Sequence, residues 1–265
     1  MRRNEGKVAI VTGGAGGLGA STSERLVEEG ATVVVAGRTL AKVEAVANRL
    51  GDAAVAMFFD AEDPDSIKSL VDGTFERFGR LDILDNNAAL TARETGFQDR
   101  TAPDTPIDVW DKMMAVNLRA CFLTCKYAIP HMIVSGGGSI VNISSASALA
   151  GDANRIAYGT SKASLIAMSK YIAAQHGRDG IRCNAVLPGL IMVPALEEGN
   201  SDLARIVKPH ILGKRTGRAE DVAALVAFLA SDESAYINGQ AIQVDGGLTA
   251  AMPFLPTVLG ENLRA

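Results

Sequence analysis

Short apolar runs alternate with amphipathic segments along most of this chain. The runs are rich in valine, isoleucine and alanine, which is typical of strands buried on both faces of a sheet. They are predicted to form strands at Lys7–Thr12, Thr32–Ala36, Ala53–Phe59, Asp82–Leu84, Ser139–Ser144, Ile181–Leu187 and Ala241–Val244. Because helical segments separate these strands, the pattern predicts a parallel sheet covered by helices on both faces.

The segments between the strands are predicted to be helices. These helices run from the first glycines to about Glu29, over Leu40–Leu50, from Pro64 to about Phe78, through Trp110 and Asn117 with Pro130 near the end, through Tyr158 and Lys162 to about His176, and over Ala219–Ala230. No repeat, low-complexity tract or linker interrupts the pattern, and 265 residues suit one undivided α/β domain. We therefore predict a single domain over residues 1–265, with a core at 7–247 and a tail at 248–265.

A glycine-rich loop joins the first predicted strand to the first helix. Its sequence from Thr12 to Gly19 is TGGAGGLG, which fits both G-x-G-x-x-G and T-G-x-x-x-G-x-G. Glycines let the backbone turn tightly and approach a ligand, while free N–H groups at the helix N-terminus attract phosphate. The loop residues expected to bind a dinucleotide are Gly13, Gly16, Gly17, Leu18 and Gly19. The alternative is a glycine-rich turn that binds nothing.

The end of the second predicted strand indicates which dinucleotide would be bound. In such folds an acidic residue there binds a free ribose 2′-hydroxyl, whereas an arginine accommodates a 2′-phosphate. This chain has Gly37-Arg38 at that point and no acidic residue. The sequence therefore favours NADP over NAD, unless Arg38 is simply a solvated side chain.

Tyr158 and Lys162 stand four residues apart in a predicted helix, so both side chains lie on one face. A free phenol has a pKa of about 10 and is a poor acid at neutral pH. A fixed ammonium group close to a phenol favours the phenolate, which makes a tyrosine useful in acid–base chemistry. Taken alone, this spacing also arises by chance on solvated helix faces.

Composition excludes several classes of protein. The chain is 48% hydrophobic and 21% charged with a net charge of −4, which argues against binding to nucleic acid or to anionic membranes. Its cysteines are predicted to be buried thiols, and its histidines are far apart in sequence and form no metal motif. The N-terminal apolar run is too short for a signal peptide, and no run reaches the ~20 residues that span a bilayer. We therefore expect a cytoplasmic enzyme without a metal.

In their order and spacing, these motifs resemble the short-chain dehydrogenase/reductase family from about Lys7 to Gly247. The residues that carry the resemblance are the Thr12–Gly19 loop, Asp60, Asn86-Asn87-Ala88, Asn117, Ser145, Tyr158, Lys162, Pro188-Gly189-Leu190-Ile191 and Asp245-Gly246. The resemblance implies a Rossmann-type doubly wound parallel sheet of about seven strands. It also implies an enzyme that transfers a hydride between NADP(H) and a ketone or secondary alcohol.

The resemblance further implies roles for individual residues. The catalytic triad would be Ser145, Tyr158 and Lys162. Tyr158 would exchange a proton with the substrate, Ser145 would hydrogen-bond the substrate oxygen, and Asn117 would support a water relay to Lys162. Besides Tyr158 and Lys162, further cofactor contacts are expected from Asp60, Ala61, Asn87, Ala88, Pro188, Gly189 and Ile191. Two of the catalytic residues have another interpretation, because Ser145 could cap a strand end and Asn117 could be a buried amide with its hydrogen bonds satisfied.

The chain departs from the family pattern at three positions. Ala89 stands where the family usually has glycine, which costs little if its φ is negative. Asp85 places a carboxylate at the end of a central strand, where apolar residues are common, and it needs a partner or exposure to solvent. Val193 stands where the family often has a threonine that helps to hold the nicotinamide amide.

Substrate selection is expected from the segments Ala89–Thr95, Ala146–Arg155 and Leu190–Gly213. Apolar residues dominate these segments, with Arg155, Glu197 and Glu198 as possible polar contacts, so we expect a hydrophobic ketone or alcohol. The same apolar positions also suit lid packing or a subunit interface. The apolar tail after Gly247 is expected to dock on a neighbouring subunit of a homotetramer.

Two other functions stay open from the sequence alone. An NAD-dependent alcohol dehydrogenase of the same family would share every motif and differ only in the preference indicated by Arg38. A regulator that senses NADP(H) without turnover needs only the nucleotide site, although Ser145, Tyr158 and Lys162 are all present.

Overall fold

The computed structural model describes residues 2–91, 94–193, 202–252 and 254–255. Its strands are β1 (Val8–Thr12), β2 (Thr32–Gly37), β3 (Ala54–Phe58), β4 (Ile83–Asn86), β5 (Gly138–Ile143), β6 (Ile181–Pro188), β7 (Ile191–Met192), β8 (Gly217–Arg218) and β9 (Ala241–Val244). Its helices are α1 (Gly17–Glu28), α2 (Leu40–Leu50), α3 (Pro64–Phe78), α4 (Ile107–Met114), α5 (Ala120–Val134), α6 (Ile156–His176), α7 (Asp202–Val207) and α8 (Ala219–Ala230).

Seven of the strands form one sheet in the order β3-β2-β1-β4-β5-β6-β9, and all its pairings are parallel. β7 and β8 form a separate two-residue pair. The strand order reverses between β1 and β4, and such a switch point opens a crevice beyond the carboxyl ends of the strands. The predicted fold class, a Rossmann-type doubly wound sheet of about seven strands, is therefore confirmed.

Helices cover both faces of this sheet. Every residue of β1 is buried, and successive strand residues point to opposite faces. Ile10 accordingly lies in the core formed with α3 and α5, where it joins Met132. Val11 lies in the core on the opposite face, formed with α1, α2 and α8, where it joins Leu26. This two-sided burial explains why the strands are nearly continuous apolar runs.

The predicted and observed elements differ most in the middle of the chain. The single helix predicted through Trp110 and Asn117 is two helices, α4 and α5, joined by a π-helical turn over Ala115–Arg119. β4 begins one residue later than predicted, at Ile83, and its end at Asn86 includes Asp85, which was expected at the end of this strand. α7 and the β7–β8 pair were not predicted, because such short elements show no measurable periodicity.

Thr12 joins the two strands at the switch point. Its hydroxyl accepts the N–H groups of Asn87 at 3.0 Å and Ala88 at 3.1 Å, and it donates to the carbonyl of Asp85 at 3.2 Å. The Asn87 side chain donates in turn to the carbonyls of Thr12 at 3.0 Å and Gly13 at 3.3 Å. These hydrogen bonds fix the exit of β4 against the glycine loop, so the two walls of the crevice form one unit.

Candidate active site

A large cavity of about 1290 Å³ opens at the carboxyl end of the sheet. Most of the residues that the sequence assigns to a site line its wall: Gly13, Gly16, Gly17, Leu18, Arg38, Asn87, Ala88, Ser145, Tyr158, Lys162, Pro188, Gly189 and Ile191. The remaining assigned residues, Gly19, Asp60, Ala61 and Asn117, are not part of this wall. The cavity therefore brings the glycine loop and the Tyr158–Lys162 pair into one space.

The glycine loop forms an open cradle made of backbone. Gly13 has a φ of +65°, which favours glycine. A Cβ at Gly19 would lie 2.4 Å from the Gly13 carbonyl oxygen, so this glycine is required for packing beneath the loop. A Cβ at Gly16 would meet only that same oxygen, at 3.7 Å, so the cavity side of Gly16 is free for a ligand. This arrangement fits a dinucleotide pyrophosphate held at the N-terminus of α1.

Positive charge lies where β2 leads into α2. Arg38 and Lys42 both line the cavity together with Thr39. The Arg38 side chain is 65% exposed, and its guanidinium lies 3.9 Å from the carboxylate of Glu62. Since an ion pair this long and this exposed is weak, both cations are available to an anionic ligand.

Asp60 and Ala61 follow β3 but do not line the cavity. The Asp60 N–H donates to the hydroxyl of Ser66 at 2.9 Å, and the Asp60 carboxylate accepts the N–H of Glu62 at 3.0 Å. In this structure, the hydrogen bonds of Asp60 stabilise the turn before α3. Its adenine contact stays a prediction.

Tyr158 and Lys162 lie one turn apart on α6, as the spacing predicts. The Lys162 Nζ is 5.8 Å from the centre of the Tyr158 ring. Lys162 is buried, and its ammonium donates to the carbonyl of Ile143 at 2.8 Å. The hydroxyl of Ser144 donates to the Lys162 carbonyl at 2.7 Å. The end of β5 therefore holds Lys162 at both its backbone and its ammonium group.

Ser145 follows β5 directly and lies in the cavity wall. Its hydroxyl oxygen accepts the N–H of Ser147 at 3.2 Å, which caps a short 3₁₀ turn over Ala146–Ala148. Because the hydroxyl oxygen is the acceptor, this hydrogen bond does not use the hydroxyl proton of Ser145. Capping and donation to a substrate oxygen are therefore compatible roles for this residue.

Asn117 lies beneath the cavity in the π-helical turn. Its side chain accepts the N–H of Leu90 at 2.7 Å and donates to the Leu90 carbonyl at 3.1 Å and to the Ser161 hydroxyl at 3.3 Å. The Ser161 hydroxyl donates to the Tyr158 carbonyl at 2.7 Å. Asn117 thus connects the segment after β4 to α6, while a water relay through it stays a prediction. π-helical turns of this kind often occur at functional sites.

Asp85 is fully buried in β4. Neither of its carboxylate oxygens has a hydrogen-bond partner in the part of the chain that the structure describes. Burial raises the pKa of this carboxyl to about 8, because the charged form is poorly solvated. The partner or exposure that the sequence required for Asp85 is therefore absent among the described residues.

Sequence reasoning missed two features of the site. The tail is expected from sequence to dock on a neighbouring subunit, whereas its described residues Leu248, Thr249, Ala251, Met252 and Leu255 line the cavity of their own chain. Asp99, in the long segment after β4, accepts backbone N–H groups at the start of α6. Neither contact has a local sequence signal, although the apolar character of the tail indicated that it packs against something.

Comparison with known proteins identifies the family of this chain. The family model described as enoyl-(acyl carrier protein) reductase matches residues 13–249. The 7α-hydroxysteroid dehydrogenase of Bacteroides fragilis is 40% identical over 262 residues, which are 97% of this chain and 100% of that protein. The chain belongs to the short-chain dehydrogenase/reductase family.

Other members of the family agree with this assignment. The 7α-hydroxysteroid dehydrogenase of Clostridium sardiniense is 41% identical over 257 residues, covering 96% of this chain and 97% of that one. A solved structure from Burkholderia xenovorans, described as a short-chain dehydrogenase/reductase, has a TM-score of 0.86 at 33% identity and covers 95% of this chain and all of its own.

Membership of the family makes this chain an NAD(P)-dependent oxidoreductase that acts on CH–OH groups. The hypothesis of a regulator without turnover is not supported. Among the described residues, no helix is long and apolar enough to cross a membrane. Within the same residues, no group of three or more His, Cys, Asp or Glu is placed to hold a metal ion.

The structure shows the surroundings of two residues that depart from the family pattern. Ala89 lines the cavity and is not among the residues with positive φ, so alanine fits there without backbone strain. Val193 packs directly over the glycine loop, since a Cβ at Gly17 would lie 2.8 Å from its Cγ1. The valine thus makes an apolar contact with the loop where the family often has a hydroxyl. The predicted contacts from Glu197 and Glu198 lie outside the described residues.

Proposed function

We propose that this chain is an NADP(H)-dependent oxidoreductase that interconverts a ketone and a secondary alcohol, with Tyr158 as the general acid and base. The observation that carries the proposal is the placement of Tyr158 and Lys162 in the wall of the same cavity as the glycine loop. A dinucleotide on the loop and a substrate beside Tyr158 would then share one cavity. The hydride chemistry belongs to the nicotinamide when it is bound.

The residues around the substrate oxygen would manage its proton and its charge. Tyr158 would donate a proton to the oxygen during ketone reduction and remove it during alcohol oxidation. The Lys162 ammonium would attract negative charge on the Tyr158 oxygen and contact the nicotinamide ribose. Ser145 would donate a hydrogen bond to the substrate oxygen as negative charge develops on it. Pro188, Gly189 and Ile191 would flank the nicotinamide.

The preference for NADP is supported by the cations at the end of β2. Arg38 and Lys42 line the cavity, and within the described part of the chain the ion pair of Arg38 with Glu62 is long, at 3.9 Å. A ribose 2′-phosphate would offer Arg38 a shorter, bidentate partner than this carboxylate. The NAD-dependent alternative would leave Arg38 without a specific contact.

A bulky apolar substrate is supported by the apolar side chains of the cavity wall. These include Leu149, Leu190, Ile211, Leu212, Leu248, Met252 and Leu255. Two relatives that match nearly the whole chain are named 7α-hydroxysteroid dehydrogenases. We infer that a secondary alcohol on an alicyclic or steroid-like skeleton suits this chain better than a short polar alcohol. We expect kcat/KM to rise in the order 2-propanol, cyclohexanol, hydroxysteroid. If kcat/KM stays constant or falls in that order, this inference is contradicted.

A binding titration tests the cofactor assignment directly. We expect NADPH to bind more tightly than NADH, as followed by nicotinamide fluorescence. Arg38→Asp should weaken NADPH binding at least about tenfold and leave NADH binding nearly unchanged, because only NADPH carries the 2′-phosphate. Arg49→Asp is the matched control, since Arg49 is also an exposed arginine, lies on α2 and pairs with Glu24 at 3.1 Å outside the cavity. An unchanged NADPH affinity in Arg38→Asp would rule out the phosphate contact.

Assembly into a homotetramer and a cytoplasmic location complete the proposal. Large apolar side chains are exposed on α4, α5 and α6, among them Ile107 at 80%, Val134 at 76% and Tyr171 at 69%. Faces of this kind often mark contacts between subunits. Light scattering coupled to size-exclusion chromatography should give about four times the chain mass of 27.7 kDa, and the mass of one chain would contradict the assembly.

A further inference from the structure

The start of α6 is held by the segment that follows β4. The first four N–H groups of a helix have no partner within the helix and need acceptors from elsewhere. Here two consecutive residues, Asp99 and Arg100, supply acceptors to four consecutive N–H groups, those of residues 155–158. We call this set of four hydrogen bonds the Asp99 clamp.

The carboxylate of Asp99 makes the two shortest bonds of the clamp. One oxygen accepts the N–H of Ala157 at 3.0 Å and the other accepts the N–H of Tyr158 at 2.9 Å. The Asp99 carbonyl accepts the N–H of Arg155 at 3.2 Å, and the Arg100 carbonyl accepts the N–H of Ile156 at 3.3 Å. Both carboxylate oxygens are therefore engaged, and one of them holds the backbone of Tyr158 itself.

Because Asp99 is buried, its carboxylate is difficult to replace as a hydrogen-bond acceptor. The residue is only 3% exposed, so water cannot easily replace the lost acceptors if the carboxylate is removed. An anion at a helix N-terminus is also favoured by the helix dipole. Arg155, which precedes the helix, has a φ of +66°, a conformation that is uncommon for residues other than glycine. The clamp holds this strained turn as well as the first turn of the helix.

The clamp acts on the Tyr158 side of the pair more than on the Lys162 side. Lys162 lies a turn further along α6 and is held independently by Ile143 and Ser144 at the end of β5. Tyr158 lies in the first turn, where helices fray most easily. Loss of the clamp should therefore change the position of the phenol relative to a fixed ammonium.

We propose that Asp99 is a positioning residue that sets the place of the Tyr158 phenol through the first turn of α6. This inference rests on the proposed acid–base role of Tyr158. Asp99 does not line the cavity itself, and it contacts Tyr158 through the backbone N–H rather than the phenol. It also ties the segment containing Thr91 and Glu94, which line the cavity, to the start of the catalytic helix.

Steady-state kinetics and cofactor titration of Asp99→Ala test the proposal. We expect kcat to fall about 10-fold to 100-fold, because misplacing a reacting group by about 1 Å is enough for such a loss. The Kd for NADPH should stay within about twofold, since the glycine loop and Lys162 are unchanged. Asp99→Asn should lie between Ala and wild type, because its amide keeps one acceptor oxygen but turns an NH₂ group toward the second N–H.

Asp82→Ala is the matched control. Asp82 lies just before β4, is also buried, and accepts the N–H of Val8 at 2.8 Å, but it lies at the opposite end of that strand from the cavity. Its loss should lower stability without lowering kcat at a temperature where the variant is folded. An equal loss of kcat in Asp82→Ala and Asp99→Ala would mean general destabilisation and would overturn the proposal.

Amide hydrogen exchange gives a readout that does not depend on activity. In Asp99→Ala, or in the more conservative Asp99→Asn if the alanine variant does not fold, the amides of residues 157 and 158 should exchange faster, while those of residues 166–176 stay as in wild type. Unchanged exchange at 157 and 158 would overturn the clamp. If Tyr158→Phe keeps full turnover, the proposed function fails; if Tyr158→Phe is inactive but Asp99→Ala keeps wild-type kcat, only the positioning role fails.

Discussion

The two halves of the sheet contribute different kinds of groups to the cavity wall. In the half formed by β1, β2 and β3, the glycine loop contributes backbone to the wall, and space for a ligand exists at Gly16 because a side chain is absent there. In the half formed by β4, β5 and β6, the wall carries Ser145, Tyr158 and Lys162, and each of these is held by hydrogen bonds from neighbouring elements. The first half should therefore be sensitive to added atoms, and the second to removed polar atoms.

The largest effect expected from this comparison is that of Tyr158→Phe. Removing the phenol oxygen deletes the proton donor while leaving the ring and α6 in place. We expect kcat to fall roughly 10²–10⁴-fold, the usual contribution of a general acid or base. Stopped-flow or steady-state assays with NADPH and a ketone measure this loss.

The same variant tests whether a change in the second half of the cavity alters cofactor binding by the first half. Its affinity for NADPH should stay close to that of the wild type, because the glycine loop is untouched. Full turnover in Tyr158→Phe would remove the assigned role, and a large loss of NADPH affinity would mean that the halves are not independent.

Asp85→Val changes a residue at the boundary of the two halves, because β4 lies between β1 and β5 in the sheet. Asp85 is paired in register with Val11 and Val141, so a valine would complete an apolar row across three strands. We expect a gain in the free energy of unfolding of about 1–3 kcal/mol at pH 5, since an unsatisfied buried polar group is removed. Urea denaturation measures it. Asp82→Val, which removes a carboxylate that has partners in Val8 and Arg80, should destabilise instead.

The pH dependence of stability sharpens the Asp85 prediction. The pKa of the Asp85 carboxyl is raised to about 8 in the folded chain, against about 4 in an unfolded one. Between these values the folded state binds a proton that the unfolded state has released, so the stability of the wild type falls as pH rises. The advantage of Asp85→Val should therefore grow from pH 5 to pH 8 and level off above that. A constant advantage would contradict the raised pKa.

The smallest effects expected are those of single methyl groups in the glycine loop. Gly19→Ala should lower the free energy of unfolding of the ligand-free protein by about 1–3 kcal/mol, because its Cβ would lie 2.4 Å from the Gly13 carbonyl oxygen. Gly16→Ala should change stability by less than about 1 kcal/mol, because its Cβ would meet that oxygen at an ordinary 3.7 Å. Thermal and urea denaturation compare the two.

Cofactor titration then separates packing from ligand contact. Gly16→Ala places a methyl group in the cradle, so we expect NADPH affinity to fall roughly tenfold in a protein that is otherwise stable. Wild-type affinity in Gly16→Ala would mean that no ligand approaches this backbone.

Much of the site was predictable because its signals are local in the chain. The glycines follow one strand directly, Arg38 follows the next, and Tyr158 and Lys162 lie on one helix at a spacing that fixes their common face. Strand ends then converge because the sheet is parallel, which brings Ser145 and Pro188 to the same edge. The predictions were less exact where the backbone departs from regular periodicity, as at the π-helical turn containing Asn117.

The sequence by itself determined the alternation of strands and helices, the order of the motifs and the chemistry of the candidate site residues, since each depends on residues only a few positions apart. Tertiary structure alone decided three other features: Asp85 is buried without a hydrogen-bond partner among the described residues, the described part of the tail lines its own cavity, and Asp99 holds the first turn of α6. Each depends on segments that lie far apart in the chain, and the burial behind it arises only when the whole sheet and its helices have assembled.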